Sequence, residues 1–252
     1  MLPRYPLASV DHALQILERL RIEPRLRLSD LARELDIANS TAHRLLAALA
    51  HRGFVEQEPG TRRYRAGPAL LDIGRSAVVH EELRTRVRPI LVAVSRELGE
   101  TLHVGVREGR SVRYLDAVES PRAVRVAART GRTLPAHWTS TGKVLLAGLS
   151  DESIRRLYGS TTLPTRTVNS ISRLDDLLAD LAVCRRLGHA VNRGESEDDV
   201  VSVAVALSRH DGTVVAAISC AAPQHRLDVA DAPAVAACMR STVASTGDAA
   251  AS

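Results

Sequence analysis

Aromatic side chains make up only 2% of this 252-residue chain. So few stacking platforms argue against a binder of single-stranded nucleic acid, which lays successive bases on aromatic faces. Cysteine is scarce too: Cys184, Cys220 and Cys238 lie far apart and form no CxxC pair. That spacing supports neither a zinc site nor a disulfide framework, and a reducing cytoplasm is the natural reading. No apolar run approaches the roughly 18 residues of a membrane span, and the N-terminus lacks a signal-peptide pattern. Also missing are a nucleophile elbow, a metal-ligand cluster and a phosphate loop, and Gly105 and Gly109 fit no nucleotide fingerprint. No cofactor or metal is expected. His103 and His137 read as surface or satisfied core residues rather than catalysts. The acidic run Glu195, Glu197, Asp198 and Asp199 precedes a strand and reads as a solvated loop. These absences point away from an enzyme.

What remains is a globular composition, 45% hydrophobic and 25% charged, with length for two domains. The net charge is +5, and +3 of it falls in the first 80 residues, a balance suited to nucleic acid. The stretch LSDLARELDIANSTAHRLLAAL, Leu28 to Leu49, organises that half. Leu28, Leu31, Ala32 and Leu35 recur at helical spacing, with Ser29 as N-cap. Asp36-Ile37-Ala38 breaks the period, and Asp tolerates the left-handed backbone such turns need. A second helix begins near Asn39 or Ser40 and buries Ala42, Leu45, Leu46 and Leu49. Its outer face carries Asn39, Ser40, His43, Arg44 and Ala47.

Two helices joined so tightly form a helix-turn-helix, whose second helix can enter the DNA major groove. Arg44 suits guanine, Asn39 suits adenine, and Ser40, Thr41, His43 and Ser29 can reach base edges or phosphates. An ordinary helical hairpin with a solvated face shares this pattern. Its neighbours decide for DNA. SVDHALQILERL supplies a supporting helix, with Ser9 as cap and a stripe of Val10, Ala13, Leu14, Leu17 and Leu20. FVEQEPGTRRYRAG follows Gly53 as a hairpin turning at Pro59-Gly60, with Arg62 and Arg63 near its tip, a basic wing.

Beyond it, residues 67–80 are expected as a linker helix and 82–98 as the first helix of a second domain, with Pro89 early in it. Residues 101–106 and 111–118 read as strands around Glu108-Gly109-Arg110, and Ala123 to Arg129 alternates like a further half-buried strand. Helices are expected over 139–149, 151–158 and 172–187, the last burying Leu174, Leu177, Leu178, Leu181 and Cys184. VVSVAVAL and TVVAAISCAA flank His210-Asp211-Gly212 as an antiparallel hairpin. A last helix spans roughly 229–246, between a short arm at residues 1–8 and a disordered tail at 247–252.

The spaced set TAHRLL, YRAG, STGK and ISCAAP resembles the IclR family of bacterial transcriptional regulators, and the likeness covers nearly the whole chain. One departure is Ala38, where the family often has proline. The resemblance implies an α+β chain. It would have a winged helix-turn-helix domain at 1–66, a linker helix at 67–80 and a GAF-like effector-binding domain with an antiparallel sheet at 81–246. It also implies a cytoplasmic homodimer or homotetramer bound to double-stranded DNA at a partly palindromic operator, with a small organic effector. The helix starting near Ser140 aims backbone N–H groups at a ligand, favours an anion, and adds the hydroxyls of Ser140 and Thr141. Carried over from the family, Asn192, Ser202, Ser219 and Ala221 occupy pocket positions, with Leu134 and His137 as walls. Strand alternation puts Ser219 and Ala221 on one face and Cys220 on the other. A catalytic or metabolite-sensing protein whose winged helix contacts only proteins is the alternative. It would call for exposed apolar residues where Arg44 stands.

Overall fold

The computed structural model describes residues 7–249. The chain divides into two compact units, with the boundary between Glu81 and Glu82. In the first, α1 (Ala8–Ile22) precedes a short strand β1 (Leu26–Arg27), then α2 (Leu28–Glu34), α3 (Asn39–His51) and a hairpin of β2 (Val55–Gln57) and β3 (Arg63–Ala66). The three strands order as β1-β3-β2, all antiparallel. Ile16, Leu20, Leu26, Leu31, Leu46, Val55 and Tyr64 form the core. Ala32 and Ala42 are buried where α2 crosses α3, small enough to let the helices meet. Asp36 takes the left-handed conformation the turn requires (φ 52°), and Gly53 does so after α3 (φ 71°).

Several local expectations change. Ser9 and Ser29 are not caps: the N-cap positions of α1 and α2 lie two residues earlier, at Leu7 and Arg27, with no side-chain cap bond. β1 causes this for α2, because Leu26 and Arg27 pair with Tyr64 and Arg63 and deliver the chain extended to Leu28. α3 likewise opens after Ala38, with neither Asn39 nor Ser40 capping it. On α1 the inward face is Ile16 and Leu20, whereas Val10 and Leu14 are exposed. The 67–80 and 82–98 helices are one, α4 (Pro68–Leu98). No residue between 80 and 82 breaks a helix, and Pro89 is accommodated mid-helix, so the unit boundary falls inside an uninterrupted element.

The second unit is built on a six-stranded antiparallel sheet of order β6-β5-β4-β9-β8-β7. Its strands are β4 (Thr101–Glu108), β5 (Ser111–Val118), β6 (Thr133–Pro135), β7 (Ala190–Arg193), β8 (Val200–Ser208) and β9 (Val214–Pro223). Alternation sorts their side chains. Leu102, Val104, Val201, Val203, Ile218 and Cys220 pack under the second half of α4 and α8 (Ala232–Ala249). The opposite face, including Tyr114, Ala190, Ala204 and Ala217, packs with α5 (Ser140–Ala147), α6 (Asp151–Tyr158) and α7 (Leu174–Leu187). β8 and β9 are covered on both sides and are correspondingly apolar throughout.

Residues 123–129 are not a strand. β6 already pairs with the free edge of β5, and the segment's backbone is held by side chains instead: Thr101 Oγ1 donates to Val126 O at 2.7 Å and Ala128 N to Glu119 Oε1 at 2.8 Å. Of the expected tail, 247–249 continue α8, while 250–252, like residues 1–6 of the expected arm, lie outside the described residues.

Candidate functional site

The exposed face of the first unit is basic and uncommitted. Asn39, Ser40, Thr41, His43, Arg44 and Ala47 are exposed along α3, and Ser29 is exposed in the first turn of α2. Nearby arginines are paired: Arg19 with Glu34 at 2.7 Å, Arg25 with Glu58 at 2.8 Å, Arg33 with Asp30 at 3.0 Å. Arg44, Arg62 and Arg63 make no ion pair among the described residues. Arg62 stands at the exposed wing tip, with φ 57°, and Arg63 is half-buried on β3. An unpaired guanidinium on an exposed helix face keeps all its donors for a base edge or phosphate.

In the second unit the strand register assembles a polar floor. Thr101, Ala221, Ser202 and Asn192 lie opposite one another across β4, β9, β8 and β7. The next row is His103, Ser219, Ala204 and Ala190. The first turn of α5 stands over these rows. Thr139 caps that helix, accepting from Gly142 N at 2.9 Å. Ser140 Oγ lies 2.7 Å from Ser202 Oγ, and Thr141 Oγ1 donates to Ser219 Oγ at 2.9 Å. Asn192 holds the adjoining loop: its Nδ2 donates to Trp138 O and Ser196 Oγ, and its Oδ1 accepts from Glu195 N. Cys220 faces the α4–α8 core, as alternation requires.

Six of the eight residues proposed from sequence thus meet on one buried surface: Ser140, Thr141, Asn192, Ser202, Ser219 and Ala221. Leu134 and His137 belong to neighbouring packing. Leu134 packs against the core on the α5 side of the sheet. His137 Nε2 lies 2.9 Å from Pro164 O, and its ring meets Tyr158 edge-on.

Sequence reasoning missed the charged members. Glu195 is not solvated: it is buried and bonds Lys143 Nζ at 2.9 Å, as does Asp180 from α7. Burial raises the Glu195 carboxyl above its usual range, outweighing the lysine beside it, and its Oε2 has no partner. Lys143 is the chain's one lysine, and its side chain is 1% exposed. That singularity, inside the apolar helix STGKVLLA, was the available signal. Of the two readings of His103, surface or core, the structure shows the buried one, on the floor. Burial, with Arg129 nearby, pushes its imidazole down to about 4, so it is neutral at physiological pH. Its ring lies edge-on to Tyr114 at 5.4 Å. Among the described residues no three His, Cys, Asp or Glu side chains converge on a metal-sized site.

This pairing of a winged helix with a hydroxyl-lined α/β unit recurs in known proteins. The family model for the IclR helix-turn-helix domain matches residues 9–59, and that for the bacterial transcriptional regulator IclR C-terminal domain matches residues 75–246. The chain belongs to the IclR family. Among curated relatives, it is 32% identical over 226 residues to the HTH-type transcriptional regulator XynR of Escherichia coli strain K12, spanning 89% of this chain and 90% of that one. Among solved structures, an IclR transcriptional regulator from Silicibacter sp. TM1040 superposes with a TM-score of 0.63 at 28% identity over 95% of each chain. An IclR homologue from Microbacterium hydrocarbonoxydans, complexed with 4-hydroxybenzoate, shares the fold at a TM-score of 0.59 and 24% identity, over 94% of this chain and 99% of that one. As an IclR-family member the chain is a transcriptional regulator with a DNA-binding helix-turn-helix domain and an effector-binding C-terminal domain.

Proposed function

We propose that α3 reads the operator, with Arg44 as the principal base reader, Asn39, Ser40, Thr41 and His43 beside it, and Ser29, Arg62 and Arg63 on the backbone. The observation that carries this is the exposed, unpaired Arg44 on a helix whose other face is buried. One such helix covers too few base pairs for useful selectivity, so the chain acts as a homodimer or homotetramer on a partly palindromic site. Exposed Leu7 just before α1, Val10 and Leu14 on α1, and Leu71 and Val78 one heptad apart on α4, supply apolar surface for such assembly. In this division of labour residues 1–66 bind DNA, 67–80 link, and 81–246 bind a small organic acid over the Ser140–Ser219 surface, in the cytoplasm and without catalysis. Ser219 and Ser202 bond the α5 hydroxyls rather than a base that would activate them, which supports binding over nucleophilic chemistry.

A gel shift of the full chain on duplex from upstream of its own gene, repeated with a panel of carboxylic acids, tests this reading. A shifted band that one acid weakens or strengthens is expected. Binding no tighter than to unrelated DNA contradicts it.

A further inference from the structure

One charged side chain of the second unit is left unexplained by the hydroxyl cluster. Arg129 is only 7% exposed, yet it is not buried among carboxylates. It ends the segment that the floor of the site holds by its carbonyls: Thr101 Oγ1 donates to Val126 O, and His103 Nε2 lies 3.4 Å from Ala127 O. Its guanidinium carbon stands 6.0 Å from the ring centroid of Tyr114, which in turn abuts His103, the residue paired with Ser219 across β4 and β9. The cation therefore sits on the same side of the sheet as Ser219 and Thr141.

Among the described residues its ionic partner is Glu197, with Nη2 2.7 Å from Oε1, and the Glu197 side chain is 46% exposed. Nε and Nη1 meet no acceptor among the described residues. A guanidinium offers five N–H donors in a planar fork, and a buried one is costly unless those donors and its charge are matched. Here Nη2 is matched and Nη1 is left for another acceptor. A carboxylate oxygen suits that donor, with the charge strengthening the bond. The loop that carries Glu197 is fixed on its inner side by Lys143 on Glu195, and by Thr167 and Ser170 on the carbonyls of Gly194 and Glu195. Glu197 thus reaches from an anchored loop to Arg129, spanning between β7–β8 and the segment over β4.

We propose that Arg129 donates its free Nη1 to the effector's carboxylate, and that Glu197 closes the loop on Nη2 as counter-ion. This deepens the organic-acid reading above and rests on it. The neutral His103 and the Ser219 hydroxyl then face the remainder of the ligand, which selects a carboxylate bearing a further polar substituent rather than a bare alkanoate.

Calorimetric titration of the full chain with benzoate, 4-hydroxybenzoate and succinate, each against its primary amide, tests the assignment. The expected result is that at least one acid binds roughly tenfold or more tightly than its amide, the worth of a charge-assisted hydrogen bond. That ratio should fall to about one in Arg129→Gln, lie between in Arg129→Lys, which keeps the charge and guards against a folding artefact, and persist in Glu197→Gln. An acid preference that survives Arg129→Gln overturns the role of Arg129 while leaving the organic-acid reading intact. Amides that bind the wild-type chain as well as their acids, or no binding by any acid of the panel, overturn both.

Discussion

At the scale of single residues, burial decides which charges the fold tolerates. His103 is neutral in the native state down to about pH 4, whereas the unfolded chain protonates it below 6.5. Between those values the unfolded state binds more protons, so this residue's contribution to stability is complete above pH 6.5 and is lost as pH falls toward 4. The expected slope is about 1.4 kcal/mol per pH unit at most. Urea denaturation of wild type and His103→Gln across that window checks it: the stability difference between the two should shrink as pH falls, and a constant difference contradicts the buried neutral imidazole. Lys143 poses the opposite case, a buried cation between Asp180 and Glu195. Lys143→Met should cost about 3–5 kcal/mol, because it leaves Glu195 buried and unpaired, and adding Glu195→Met should recover part of the loss. Equal stability of the single and double variants, measured by chemical denaturation, would contradict the pairing. The Lys143–Glu195 pair was not read from the sequence. Glu195 stood in a run of acids that looks solvated, and its partner lies 52 residues away, brought close only when α5 packs beside the β7–β8 loop.

At the scale of elements, periodicity was a sound guide where an element has one dry face and one wet one. α3, α7, β4, β5 and the β8–β9 hairpin all fall where their patterns place them. It failed where tertiary partners override local signals. β1 is too short to leave a pattern, yet its pairing with β3 displaces the expected Ser29 cap. Residues 123–129 alternate like a strand but find the β5 edge taken by β6. Ser140 and Thr141 were legible from a helix start, and Ser202 and Ser219 from the family resemblance, with strand alternation setting Ser219 beside Ala221, whereas Arg129 looked like the polar face of a strand that does not form. The close approach of α5 to the preceding turn is a further tertiary demand. A methyl group on Gly142 would overlap the backbone of Ala136. Gly142→Ala should therefore displace the α5 N-terminus that carries Ser140 and Thr141, at a cost of about 1–3 kcal/mol. Thermal unfolding measures the loss, and an unchanged Tm would show that the turn and helix are not packed as described.

At the scale of the whole molecule, each unit has its own core, and among the described residues Val10 and Leu14 of α1 and Leu71, Ile73, Val78 and Val79 of α4 are exposed apolar side chains. If they meet in an assembly, Val78→Glu, which buries nothing in the monomer, should lower the mass seen by sedimentation and weaken operator binding by loss of effective concentration. A wild-type chain that already sediments as a monomer, or a variant with unchanged mass, contradicts that role for α4. Sequence-specific DNA recognition by α3 is the function proposed for the first unit. The most direct test is fluorescence anisotropy of the full chain and of Arg44→Ala on an operator duplex and on a scrambled one, across a salt series. Wild type should prefer the operator by roughly a thousandfold or more. Arg44→Ala should lose about 1–3 kcal/mol on the operator while binding the scrambled duplex nearly as before. Equal losses on both duplexes, or no preference by the wild-type chain, would contradict the assignment of α3 as the reader.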